Sequence, residues 1–441
     1  MGRLFGTDGV RGVAGEELTR ELAHGLGRAA VVVLGRHGAG NARLVVGRDT
    51  RESGEWLEDA LTEGIREAGG DVLLAGVEPT PAVAFMTVDL GASSGVVISA
   101  SHNPAEDNGI KFFARDGMKL PDRLEDEIEA ELARPADPSV EPGEILPVGD
   151  ARERYLRHLE GAAEARLDGM AVVVDCANGA ASQMAPEVLR RLGAEVHAIN
   201  AAPDGRNIND GCGALHPEVV AAEVVRRHAD AGVCHDGDAD RALFADAAGA
   251  VIDGDQVLAA SAIAMRERGA LAGGVVVATV MSNLGLAIAM RDAGIELVRT
   301  AVGDRYVLEE MERRGATLGG EQSGHVIFRQ HATTGDGLLT AVRFLSLAAA
   351  RGVSLAELAG AMRRRPQVMV NIRVADRDGI TEERAVEEAV AAAEVALGSG
   401  GRVLVRASGT EPLIRVMVEA ETEATARQHA DAIADAIRSF G

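Results

Sequence analysis

Asp236, Asp238 and Asp240 stand at alternate positions in CHDGDADR (residues 234–241). In an extended loop, residues two apart point the same way, so the three carboxylates would converge and repel unless a hard cation neutralised them. All-oxygen donors favour Mg2+ or Ca2+. A calcium EF-hand counted from Asp236 needs Gly sixth and Glu twelfth. Those positions hold Arg241 and Ala247. The loop therefore reads as a magnesium site or as an acidic turn left to solvent.

Four other polar loops carry potential chemistry. ISASHNPAEDNGIKFF (98–113) places Ser101 beside His102. Acyl transfer through serine usually needs a Gly-x-Ser-x-Gly elbow and an oriented base, and the flanking positions two before and two after Ser101 are Ser99 and Asn103, not glycine. Phosphoryl transfer asks only for a hydroxyl near a divalent cation and cationic donors. Pro104 stiffens the loop and Gly109 turns it toward Lys111; alternatively Ser101 is an ordinary turn hydroxyl, and His102 and Asn103 shape the loop. VRASGTEPLIRV (405–416) gathers Arg406, Ser408, Gly409, Thr410 and Arg415, a set suited to a phosphate dianion or to a plain glycine turn with surface arginines. GGEQSGHVIF (319–328) puts Glu321 and Ser323 on a tight turn before His325, where they could grip vicinal hydroxyls or merely join a helix to a strand. FGTDGVRG (5–12) adds Thr7, Gly9 and Arg11. No Gly-x-x-x-x-Gly-Lys-Ser/Thr occurs, so a nucleotide P-loop is not indicated.

Elements must bring these loops together. Three segments share a strand–loop–helix–strand design, starting near Ala42, Met170 and Gly273. Their short Val-rich runs suit buried parallel sheets, and copies a hundred residues apart are domain-sized duplications. The end of the chain reads differently. PQVMVNIRV alternates like a half-exposed strand, residues 381–397 form a helix, RVLVR and LIRVMVEA pair around ASGTEP, and a last helix runs to Phe440. The expected fold is three similar α/β domains with mixed or parallel sheets plus a C-terminal α+β domain. The boundaries are 1–155, 156–254, 255–367 and 368–441, with linkers at 133–147, near Asp253–Asp255 and near Arg365.

Totals narrow the class. Lys plus Arg is 45 against 68 for Asp plus Glu, a net charge of −23, which repels nucleic acid and anionic membranes. No run approaches the ~20 apolar residues of a membrane span, and the opening residues do not resemble a secretion signal. Cys176, Cys212 and Cys234 form no disulfide or metal pattern, so a cytoplasmic protein is expected. Arginine supplies nearly all the positive charge; the two lysines are Lys111 and Lys119. A lysine here therefore invites a question that an arginine does not.

Taken jointly and in this order, FGTDGVRG, SASHNP with a lysine ten residues beyond the second serine, DGDADR, GEQSGH and RASGTEPLIRV resemble the α-D-phosphohexomutase superfamily along essentially the whole chain. The resemblance implies a heart-shaped, four-domain enzyme with a central cleft. It makes Ser101 a phosphoserine supported by Ser99, and Asp236, Asp238 and Asp240, together with Ser101, the holders of one Mg2+. Lys111 and His325 would be acid/base groups, and Arg241 would steady the metal loop. Glu321 and Ser323 would grip the sugar, with Thr7 and Arg11 also lining the substrate site. Arg406, Ser408, Gly409, Thr410 and Arg415 would bind the phosphate that is not transferred. TAVGDRYVLEEM, Gln322 and TTGDGLLTAVRF are similar to the phosphoglucosamine mutase branch. That branch implies interconversion of glucosamine 6-phosphate and glucosamine 1-phosphate, with glucosamine 1,6-bisphosphate as primer and intermediate, on the bacterial route to UDP-N-acetylglucosamine and peptidoglycan. It also admits a homodimer. A phosphoglucomutase/phosphomannomutase with the same mechanism is the alternative. A phosphatase that works through its own phosphoserine and loses the phosphate to water, and a non-catalytic sugar-phosphate sensor, are the rival classes; a sensor would need only the phosphate clamp.

Overall fold

The structure, a computed structural model, describes residues 3–6, 8–39, 42–374, 380–407 and 413–439. Among these residues the strands form four sheets. The three predicted repeats are present: Arg43–Arg48, Ser53–Glu67 and Asp71–Val77; Ala171–Asp175, Ala181–Arg191 and Glu195–Ile199; Val275–Thr279, Leu284–Asp292 and Glu296–Thr300. In each repeat the two strands pair in parallel. The valine runs are buried on both faces because helices flank such sheets: Val96, Val97, Val172, Val173, Val276 and Val277 are inaccessible to solvent.

Each parallel core is extended by antiparallel strands, and these carry the candidate loops. Ser94–Ile98 runs parallel to Arg43–Arg48 and antiparallel to Asp107–Phe113, which in turn pairs with Val10–Val13. Ala231–His235 returns as Ala242–Asp246, and Leu318–Gly320 returns as Val326–Phe328. All of this lies in one compact unit, residues 1–280 with 295–360. Among its described residues no helix is long and apolar enough to cross a membrane, and the same holds for the rest of the described chain.

The second unit comprises residues 281–294 and 361–441. Leu413–Glu419 is the centre of its sheet, flanked antiparallel by Gln367–Arg373 and Arg402–Ala407, and Arg384–Leu397 and Glu423–Arg438 supply its helices. Val368, Ile372, Ile414, Val416, Ile433 and Ile437 share its core. The helix of the third repeat, Leu284–Asp292, is held in this unit: Leu284 N–H donates to Glu419 at 3.1 Å and Asn283 Nδ2 donates to the Arg365 carbonyl at 3.0 Å.

Two predicted linkers are more regular than expected. The end of the 133–147 segment forms a short edge strand, Ile145–Pro147, parallel to Asp71–Val77. Asp253 starts the helix Gly254–Glu267 with a reciprocal capping box to Gln256. Both are outcomes that a proline- or aspartate-rich stretch hides, because capping and edge pairing are tertiary events.

Candidate active site

Ser101 follows the strand Ser94–Ile98 and is 2 % exposed, with φ +52°. That left-handed backbone costs a serine roughly 1–2 kcal/mol, so the surroundings must enforce it. Arg51, fully buried, does much of this. Its guanidinium donates to the carbonyls of Ser101 (3.0 Å), Asn103 (2.8 Å), Asp107 (3.0 Å) and Pro104, and its Nε donates to Asp49 at 2.9 Å. Asn209 Nδ2 adds a bond to the Ser101 carbonyl at 2.9 Å. Ser99 Oγ accepts from Ser101 N–H at 2.9 Å and donates to Asp49 at 2.5 Å. His102 makes no serine–base pair with Ser101 in this structure: Ser101 Oγ donates instead to Asp236 Oδ2 at 2.6 Å. Burial, with Arg241 and Arg11 adding to it, pushes the His102 imidazole down to about 4.

The carboxylates of Asp236, Asp238 and Asp240 are buried, with one oxygen from each lying within 4.8 Å of the others. The loop is a tight turn rather than the extended segment inferred from the spacing, and Ala239 sits at φ +59°. Its carbonyls are pinned from several directions. Ala180 N–H donates to the Gly237 carbonyl (2.9 Å), Thr80 N–H to that of Asp238 (3.0 Å) and Gly337 N–H to that of Ala239 (3.0 Å). Thr80 Oγ1 also donates to Asp238 Oδ2 at 2.7 Å. Burial, then Asp240 and Asp238, push Asp236 well above the usual carboxylate range. Burial acts on Asp240 too but is outweighed by His325, Lys111 and Arg241, which hold it below that range. Asp238 Oδ1 and Asp240 Oδ1 are buried without a hydrogen-bond partner. Orphaned oxygens on a converging carboxylate set fit a metal ion. Arg241 lies 3.9 Å from Asp236 and 3.8 Å from Asp240, beside the cluster it was expected to steady.

Lys111 projects from Asp107–Phe113 toward the same cluster, 2.8 Å from Asp8 and 3.6 Å from Asp238. Burial would strip its proton, but Asp8, Asp238 and Asp240 outweigh burial and keep it an ammonium. Asp8 also binds Arg11. His325 lies opposite, its Nδ1 3.5 Å from Asp240. Burial lowers its affinity for a second proton and Asp240 raises it, to about 9. Gly335 N–H, which donates to Nε2 at 3.1 Å, opposes that second proton and sets the neutral tautomer with its proton on Nδ1. Only glycine fits here, since a Cβ at 335 would lie 2.3 Å from the imidazole. Asp8, Lys111, Lys119, Asp240, Asp304 and His325 line one cavity.

In the third loop, Glu321 accepts from Gly303 N–H at 3.2 Å and Ser323 Oγ is buried without a partner. Gln322 turns away to donate to Asp253 at 3.2 Å. Within the second unit, Arg406 and Arg415 are directly opposed across the hairpin. Thr7, Ser408, Gly409 and Thr410 lie outside the described residues.

Four residues that spacing did not single out prove central: Asp49 and Arg51 in GRDTR, Asp8 in GTDG, and Thr80. An Asp-x-Arg pair at the end of a buried strand was a usable signal for the first two, because a charge that deep needs a partner. Asp8, in GTDG, carries no local mark of its distant partner Lys111.

The Phosphoglucomutase/phosphomannomutase family models match in sequence: alpha/beta/alpha domain I over residues 2–138, domain II over 153–249, domain III over 253–365 and the C-terminal domain over 369–436. A phosphoglucosamine mutase of Frankia alni is 56 % identical over 449 residues, covering 100 % of this chain and 99 % of its own. One of Thermobifida fusca is 54 % identical over 442 residues, covering 99 % and 98 %. The solved structure of a phosphoglucomutase/phosphomannomutase family protein from Burkholderia thailandensis superposes with a TM-score of 0.83 at 26 % identity, covering 99 % of this chain and 97 % of that one. With the paired strands, the carboxylate cluster and the serine loop all accounted for, the chain belongs to the phosphoglucosamine mutases within the phosphohexomutase superfamily.

Proposed function

We propose that the protein interconverts glucosamine 6-phosphate and glucosamine 1-phosphate through a phosphorylated Ser101 and glucosamine 1,6-bisphosphate. The observation that carries this reading is the Ser101 hydroxyl, 2.6 Å from one member of a buried triple-carboxylate cluster beside Lys111. In each half-reaction the bond from phosphorus to one oxygen, of Ser101 or of the sugar, breaks as the bond to the other forms. The hydroxyl that accepts the phosphoryl group gives up its proton, and the oxygen that releases it takes one.

Asp236, Asp238 and Asp240, with an oxygen of the modified Ser101, would hold Mg2+, which supplies charge stabilisation to the loosening phosphoryl group. Lys111, held charged by its carboxylates, faces the transferring oxygens and serves as proton donor to the departing one. His325, its Nδ1 facing Asp240, is the second acid/base candidate and also holds that carboxylate in place. Glu321 and Ser323 grip the sugar hydroxyls, Thr7 and Arg11 line the substrate site, and Arg406, Ser408, Gly409, Thr410 and Arg415 clamp the other phosphate. The protein, with its four domains bounded as given above, would be a cytoplasmic enzyme of cell-wall precursor synthesis.

Steady-state kcat/KM for glucosamine 1-phosphate, glucose 1-phosphate and mannose 1-phosphate, each with Mg2+ and its bisphosphate, tests this directly. The expected preference for the glucosamine substrate is a hundredfold or more, ~2.7 kcal/mol of discrimination. Comparable rates on glucose or mannose would reassign the pathway. Ser101→Ala should abolish turnover and keep ligand binding; unchanged turnover would remove the phosphoserine from the mechanism.

A further inference from the structure

Lys119 is the second of the chain's two lysines, and the same cavity holds both. The backbone makes this so. Phe113 is bridged antiparallel to Lys119 across the turn that follows Asp107–Phe113. Residues directly opposite share a face, as do residues two apart on one strand. Lys111, Phe113 and Lys119 therefore point to one side, while Phe112 points into the core of the first domain.

The two ammonium groups are in opposite circumstances. Lys111 is ion-paired with Asp8 and Asp238. Arg305, also on the cavity wall, is paired with Asp122 and Glu309, and His325 faces Asp240. Lys119 Nζ is buried and has no hydrogen-bond partner. Glu125 feels its charge but takes its own hydrogen bond from Arg3. A surface lysine would extend its ammonium to water, and a structural one would meet a carboxylate. A buried ammonium without a hydrogen-bond partner costs stability, and this one lies in the cavity that Lys111, Asp240 and His325 also line.

We infer that Lys119 is an anion-binding residue of this cavity, taking phosphoryl oxygens of the sugar phosphate beside Lys111. The anion's identity as a sugar phosphate rests on the mutase reading; the ammonium without a hydrogen-bond partner does not. Lysine suits the task as a point charge that can follow a phosphate through different orientations.

Lys119→Met in the full chain tests the assignment by titration calorimetry with inorganic phosphate and with glucosamine 1,6-bisphosphate, together with kcat/KM and the melting temperature. The expected result is tenfold or greater loss of affinity for both anions and a similar loss of kcat/KM. The melting temperature should be unchanged or raised, because a buried charge without a hydrogen-bond partner has gone. Lys119→Arg should recover part of the phosphate affinity. Anion affinity and kcat/KM within twofold of the parent would overturn the inference. So would a variant that fails to fold or melts several degrees lower with phosphate affinity intact, since that is what a structural lysine predicts. Loss confined to the sugar, with inorganic phosphate bound as before, would mean a hydroxyl contact and would also overturn it. A parent that binds phosphate through Lys119 yet does not isomerise glucosamine 1-phosphate would remove the mutase reading and leave the anion site standing.

Discussion

At the scale of single residues, Arg51 sets the loop that carries Ser101. Its guanidinium neutralises Asp49 and occupies four carbonyls between Ser101 and Asp107, which is how a serine is kept at φ +52°. Burial raises the Asp49 carboxyl, and Arg51 and Ser99 offset that rise. Arg51→Met should therefore cost about 3–5 kcal/mol in denaturant unfolding, because it strands a buried charge. Turnover should fall at least a hundredfold as the serine leaves its position. Adding Asp49→Asn should restore part of the stability but little activity, since the four carbonyls still lack their donor. Recovery of both together would show that the guanidinium's contacts with the loop matter less than its charge.

At the scale of elements, the carboxylate turn depends on neighbours that sequence spacing cannot reveal. A Cβ at residue 337 would lie 2.2 Å from the Arg241 carbonyl and 2.8 Å from that of Ala239. Gly337→Ala should thus displace the turn, weakening Mg2+ binding at least tenfold in a direct titration even where the chain still folds. Ala239→Gly should be mild: relief of a positive φ is worth roughly 1 kcal/mol and is partly cancelled by the freedom glycine gains when unfolded. These cases mark what was legible. The three parallel repeats, the C-terminal hairpin, the aspartate cluster, Ser101 and Lys111 were readable because buried valine runs, alternation and short-range polar patterns are local signals. Asp8 and Thr80 were not, because Lys111 and Asp238, the partners that reveal them, lie about a hundred and a hundred and sixty residues away in sequence; for Arg51 only the pairing with Asp49 was local, and its carbonyl partners lie about fifty residues on. The bent form of the aspartate turn was hidden for the same reason, since Gly337 and Ala180 hold it from other segments. Ser408–Thr410, expected in the phosphate clamp, fall outside the described residues.

At the scale of the whole molecule, acidity and burial act together on stability. The net charge is −23, while burial pushes Glu78 and Glu125 up to about 7 and Asp336 to about 6. Each of these groups binds its proton more tightly folded than unfolded. Their contribution to stability is thus full below the ordinary carboxyl range and declines as pH rises from about 4.5 through 7. The melting temperature should be higher at pH 5.5 than at pH 8, and Glu78→Gln should flatten the difference; a profile rising toward pH 8 would contradict the assignment. The pinned carboxylate turn has a kinetic counterpart. Its three carbonyls are held by amides of Thr80, Ala180 and Gly337, which belong to three successive α/β segments. None of those amides can open to solvent without releasing the turn on which the other two depend. In deuterated buffer they should exchange at one common rate, slower than the amides of the surrounding loops, and addition of Mg2+ should slow all three by the same factor. Three duplicated segments would then breathe as one body, with the turn as the knot that ties their motions together.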